Sequence, residues 1–261
     1  KNQVKFGNVN KWSPADIYLA TDKARGDISK ALQNAKPKSY SFIDLNILTS
    51  NLIDSGDLLP LSLKKTTKDV QLQKVNFDKK DEIKALEKIS LSPKKVTNWQ
   101  PYKKVPFGTK GETRDMRAFL KNGGEIKFRH DPSAKRFVAE FIGGGAEARG
   151  GSIGSIKLFC ELFELVDKET SKKVLKEYQE GEKQYFIDLK LIENLRGTDK
   201  KLFDHERGAI SAINIINRIM PILKNWFTKT DQKKVDDFIK IIYQYITSRT
   251  PLSGKFIIAK G

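Results

Sequence analysis

The residues best equipped for chemistry lie in two short segments, far apart in the chain. The first is Lys11-Trp12-Ser13-Pro14-Ala15-Asp16-Ile17-Tyr18-Leu19, and the second is Gly56-Asp57-Leu58-Leu59-Pro60-Leu61-Ser62-Leu63-Lys64-Lys65. In the first, Asp16 follows a proline and opens a β-branched and aromatic run, the composition of a strand. In the second, Lys64 closes another apolar run. If the two runs are neighbouring strands, a carboxylate and an ammonium meet at one edge of a sheet. That pairing suits phosphodiester hydrolysis. A carboxylate can hold Mg²⁺, which neutralises charge at phosphorus and lowers the pKa of bound water. A lysine can orient that water or stabilise the five-coordinate phosphorus. The plainer reading of the same residues is a turn carboxylate capping a strand after Pro14 and a solvated strand end at Lys64 and Lys65.

Little else in the chain competes for a chemical role. Cys160 is the only cysteine, which excludes intrachain disulfides and cysteine-based zinc sites. Its surroundings, Ile156 to Phe163, read as a buried helix face. His130 and His205 are the only histidines. His205 is expected near the start of a helix capped by Asp204, and His130 at the end of a hairpin. The segment Trp99-Gln100-Pro101-Tyr102-Lys103-Lys104 sets aromatics among lysines, a pattern that can stack on bases or lie against a duplex. Packing is the alternative for each tryptophan.

The elements that must position these groups follow from periodicity. Strands are expected at 4–6, 17–21, 58–65 and 256–258, the last as an edge or closing strand. A hairpin is expected at 125–130 and 136–142 around Asp131-Pro132-Ser133. The first helix is expected over 41–55, with Ser41 as N-cap and Gly56 in the left-handed position beyond its end. A short helix is expected at 81–89, then a connector rich in proline and lysine. Past residue 154 the pattern turns helical, with helices near 155–166, 168–180, 205–227 and 231–248, a strand-like 184–191, and a kink at Pro221. The class is α/β in the broad α+β sense: a small mixed central sheet flanked by helices, with a mainly helical C-terminal part. The expected division is a core at 1–150 with inserted helix and hairpin, and a helical part at 151–261 packed on it.

Pro14-Ala15-Asp16 resembles the first half of the PD-(D/E)XK nuclease motif, and Ser62-Leu63-Lys64 resembles the second. The likeness to that restriction-endonuclease-like superfamily covers roughly the first quarter of the chain. It implies Asp16 as catalytic residue and metal ligand, Lys64 as catalytic lysine, Mg²⁺ as cofactor and DNA as substrate. One departure falls at the position two residues before the lysine, where the family carries an acid and this chain carries Ser62. Either another acid stands in, with Asp22, Asp69, Glu140 and Glu147 as unranked candidates, or the site is inactive. The chain is also similar to proteins of large tailed bacteriophages that carry a KWxPADI … SLKK pattern followed by a glycine-rich segment. That likeness implies the alternative, an inactive DNA-binding or virion-associated protein.

The charge balance points to the same partner by an independent route. Among 261 residues, 49 Lys+Arg stand against 32 Asp+Glu, a formal charge of +17. Residues 1–108 hold 20 basic and 11 acidic groups, so the surplus is no basic tail. A nucleic acid explains such a surplus, with solvated lysine faces as the bland rival. Lys11, Lys65, Lys103, Lys104, Arg149 and Lys157 are the expected DNA contacts. The stretch 143–154 holds six of the 18 glycines and precedes a helix. Such a loop can offer backbone N–H groups to phosphate or serve as a plain connector. Its spacing matches neither a Walker A loop nor a dinucleotide fingerprint. No run approaches a bilayer span and no secretory signal is visible, so a host-cell cytoplasm or a virion is the expected location, with self-association or virion assembly as further partnerships.

Overall fold

The run Leu58–Leu63 shows how the sequence builds its first sheet. Leu58, Pro60 and Ser62 are buried while Leu59 and Leu63 are exposed, the period-two alternation of a strand covered on one side. The run is therefore half-buried, not wholly buried as its composition suggests. A computed structural model describes residues 13–34, 42–63, 69–78, 80, 89, 91–97, 99–109, 115–121, 123–143, 151–247 and 253–260. It is an α+β protein with a mainly helical C-terminal part, and the chain forms two compact units. One contains 1–86 with 247–261, the other 87–246. The division expected near 150 falls inside the second unit, because the hairpin at 125–142 packs with the helices that follow it.

In the first unit, β1 (Ile17–Ala20), β2 (Leu58–Leu63), β3 (Gln71–Val75) and the last strand among the described residues (Phe256–Lys260) form a mixed sheet. Strand β1 runs antiparallel to β2, the last strand runs parallel to β2, and β3 closes the other side antiparallel. The terminal strand is thus interior to the sheet, not an edge. Two helices join β1 to β2: α1 (Asp22–Asn34) and α2 (Phe42–Asp54). The second matches the expected helix, and Gly56 takes φ +79° just past its end, where a side chain would strain the turn. Helix α1 was not expected, although Thr21 caps it by accepting from the Ala24 N–H at 3.2 Å. Ala24, Leu52 and Leu58 form the core beneath the sheet, joined by Ile28, Leu48 and Ile53.

The second unit holds an antiparallel sheet in the order β4 (Leu91–Val96), β5 (Met116–Leu120), β6 (Glu125–Asp131), β7 (Arg136–Ile142), β8 (Ser152–Ile153). Strand β4 contains Ser92-Pro93-Lys94-Lys95, which reads in sequence as a connector. Asp131 fixes the β6–β7 turn by accepting from the N–H groups of Ser133 and Ala134. Met116, Ala118, Leu120, Ile126, Phe128, Phe137 and Phe141 are buried. The intervening side chains carry a ladder of ion pairs, Arg117–Glu125, Lys127–Asp115 and Arg129–Glu140.

Helices α3 (Ile156–Glu164), α4 (Lys168–Leu191), α5 (Lys200–Ser211), α6 (Asn217–Lys229) and α7 (Gln232–Ile246) complete this unit, with a single turn at Leu195–Thr198. A π-helical segment, Ala212–Ile216, joins α5 to α6, and Pro221 lies within α6. Helix α4 absorbs the expected strand at 184–191. Val174, Tyr178, Gly181, Tyr185 and Leu189 recur at spacings of three and four, so one helical stripe outweighs the local β-propensity of Tyr185-Phe186-Ile187. At Gly181 the helix meets the π segment so closely that an added methyl would run into the Asn214 carbonyl. The core is aromatic: Phe159 touches Phe128, Phe137, Phe163 and Phe238, and Phe163 stacks on Phe238 at 4.4 Å.

Candidate functional site

Antiparallel pairing of β1 with β2 places Ile17 opposite Leu61, so the residue before β1 stands beside the end of β2. There Asp16 donates its backbone N–H to the Leu61 carbonyl at 2.7 Å. Its Oδ2 accepts from the Leu63 N–H at 2.7 Å and from the Ser62 hydroxyl at 3.3 Å. The carboxylate therefore closes the strand pair, and Oδ1 has no partner among the described residues. Ser62, where the nuclease motif that this segment resembles would carry its second acid, is buried and points its hydroxyl at the carboxylate. Lys64 follows directly in sequence, but Lys64, Lys65 and Lys11 lie outside the described residues.

The opposite end of the same strand pair carries an arrangement not anticipated from sequence. Asp57 accepts from Lys23 Nζ at 2.7 Å, Ser55 Oγ at 2.7 Å and Thr21 Oγ1 at 3.1 Å. Those bonds, the lysine's first among them, hold its carboxyl down at about 2. With three donors from two sides it serves as a clamp between α1 and the start of β2. The signal was present in the flanking types Thr21-Asp22-Lys23 and Ser55-Gly56-Asp57, which supply donors on both sides of one acid.

Of the candidate stand-in acids, Asp22 and Asp69 belong to the first unit, on α1 and ahead of β3. Asp22 is exposed and lies 3.8 Å from Arg25, Asp69 is exposed ahead of β3, and Glu147 lies outside the described residues. Glu140 belongs to the ion-pair ladder of the second unit. Among the described residues, no group of three or more His, Cys, Asp or Glu side chains could hold a metal ion. Mg²⁺ takes oxygen ligands and favours carboxylates beside substrate phosphate. The described donor set offers it one carboxylate, half engaged by hydrogen bonds, with a hydroxyl in place of the second acid. That set does not meet the family's two-acid pattern.

Of the expected DNA contacts, Arg149 and most of the glycine-rich loop lie outside the described residues. Lys157 is exposed on α3 and Lys103 is exposed, whereas Lys104 is paired with Glu206 at 2.7 Å. Trp99 and Tyr102 are buried and unavailable for base stacking. Their segment is a strap held by side chains. Asn217 accepts from the Tyr102 N–H at 2.7 Å and donates to its carbonyl at 2.9 Å, and Lys224 donates to the Trp99 carbonyl. His205 binds the Val105 carbonyl through Nε2, and the cap of its helix is Asp199, not Asp204.

His130 is a strand residue of β6, only 6% exposed, with Nδ1 2.8 Å from the Ser211 hydroxyl and its ring against Tyr178 and Tyr185. Burial lowers its pKa to about 4, opposed by nearby Asp131. Cys160 is buried, and burial pushes its thiol up to about 12, so it packs and is no nucleophile. Compared with known proteins, the chain matches no family model, no curated protein and no solved structure. No helix among the described residues is long and apolar enough to cross a membrane.

Proposed function

We propose that this protein binds DNA through phosphate contacts and that its nuclease-like strand pair serves as a scaffold. The observation that carries the reading is the formal charge of +17 together with unspent lysines. Lys103, Lys157, Lys172, Lys173, Lys176 and Lys229 are exposed and have no ion-pair partner among the described residues. Lysines of this kind act as point charges toward phosphate. The engagement of Asp16 by Leu63 and Ser62 favours a structural carboxylate over a metal ligand. Retention on duplex DNA is expected to fall steeply between about 50 and 200 mM salt. Retention that ignores ionic strength, or no retention at low salt, overturns the proposal.

A second reading, Mg²⁺-dependent phosphodiester hydrolysis, is favoured by one observation. Asp16 keeps Oδ1 without a described partner beside the strand end that leads into Lys64. In that reading Asp16 would hold the ion with the substrate's own phosphate, and Lys64 would stabilise charge at phosphorus. Plasmid incubated with Mg²⁺ or Mn²⁺ decides between the two readings. Cleavage that disappears in both Asp16→Ala and Lys64→Ala supports hydrolysis, and intact plasmid with DNA binding retained supports the scaffold.

A further inference from the structure

A cleft in the second unit gathers unspent polar groups from two helices. It is about 490 Å³ in volume and lined by Asp167, Thr170 and Lys173 around the start of α4, and by Asn225, Lys229 and Thr230 at the end of α6, over Pro221, Ile222 and Trp226. Its one carboxylate is already spoken for. Asp167 Oδ1 accepts from the Thr170 N–H at 3.0 Å, and Oδ2 accepts from Trp226 Nε1 at 2.9 Å and from Lys234 Nζ at 3.1 Å. Burial raises the Asp167 pKa, but these donors outweigh it and hold the group at about 2. With Lys234 cancelling that charge, the remaining cations are Lys173 and Lys229. Neither has an ion pair or hydrogen bond among the described residues, and the same holds for the side chains of Thr170, Asn225 and Thr230.

We propose that this α4–α6 cleft is a docking site for the phosphodiester backbone of DNA, with Lys173 and Lys229 neutralising phosphate and Thr170, Asn225 and Thr230 donating to its oxygens. The proposal rests on the DNA-binding reading above and gives it a place. Charge complementarity selects the occupant: two lysines and three neutral donors face one cleft, and its carboxylate is consumed by three internal bonds. Hydroxyl, amide and ammonium groups all donate to phosphate oxygens, and contacts to phosphate carry no sequence information, so docking of the backbone here is sequence-independent. An acidic protein segment is the competing occupant, and the experiment separates it.

The test is fluorescence anisotropy of a labelled 20-base-pair duplex with the full chain across a salt series, on wild type, Lys173→Gln/Lys229→Gln and Lys190→Gln/Lys201→Gln. The last variant removes the same charge outside the cleft, with Lys190 seventeen residues along α4 from Lys173, about 25 Å at the helical rise. The cleft variant is expected to weaken binding on the order of tenfold near 100 mM salt and to lower the salt slope by about two. The control is expected to change both far less. Circular dichroism checks that each variant is folded. Equal losses in the two variants, or no loss in the cleft variant while wild type binds, overturn the cleft assignment and leave DNA binding standing. Wild type that fails to bind the duplex yet binds a poly-glutamate probe through Lys173 and Lys229 overturns both.

Discussion

At the scale of single residues, hydrogen bonds assign roles that residue type alone leaves open. Asp16 holds two donors of β2, so Asp16→Ala strands the Leu63 N–H and the Ser62 hydroxyl at a strand end. The expected cost is about 1–2 kcal/mol, read as a lower urea midpoint for the first unit. An unchanged midpoint would show that the carboxylate is free for other work. His130 carries a pH prediction. Its folded pKa of about 4 lies below the ordinary 6.5, so the unfolded chain takes up a proton first as pH falls. The stability from a neutral His130 is fully present above pH 6.5 and is lost progressively toward pH 4. Between pH 6.5 and 5, where most carboxylates stay ionised, the second unit should lose roughly 2 kcal/mol. His130→Gln should flatten that slope, and a wild-type midpoint constant across the window would count against a buried neutral imidazole.

At the scale of elements, packing decided what local preference could not. The β-like Tyr185-Phe186-Ile187 lies in a 24-residue helix because Tyr178, Tyr185 and Leu189 share one buried stripe. Gly181 lies in that stripe for a reason invisible in one dimension, the approach of the Asn214 carbonyl. Gly181→Ala would gain about 1 kcal/mol of helix propensity, yet the clash should produce a net loss of about 1–3 kcal/mol. Thermal melting checks the sign, and a stabilised variant would refute the close approach. Helix α2 and the stripes of α6 and α7 were legible because each repeats its own period, and the β6–β7 hairpin because Asp131-Pro132-Ser133 marks its turn, although β7 alternates only in part. Strands β3 and β4 were not, since Gln71–Val75 is mostly polar and Leu91–Val96 carries Pro93 and two lysines. Such strands exist by pairing, β3 with β9 (Phe256–Lys260) far along the chain and β4 with the next strand, β5.

At the scale of the whole molecule, the first sheet depends on Phe256–Lys260 returning to strands that lie far back along the chain. Strand β9 lies between β2 and β3 and pairs with both, so deleting residues 256–261 removes an interior strand. Amide exchange should then show β3 unprotected and β2 protected only on the side that pairs with β1, and protection persisting in β3 would contradict the sheet order. By itself the sequence determined the charge surplus, the exclusion of an intrachain disulfide, the α+β class and most helix faces, because these depend on composition or on periods shorter than one element. Tertiary structure alone decided that Asp16 binds the end of β2, that Asp57 clamps α1 to the start of β2, that Trp99 and Tyr102 are interior, and that Lys173 and Lys229 share a cleft. Each of those facts joins groups distant in sequence, and the distance is closed only by strand pairing and helix packing.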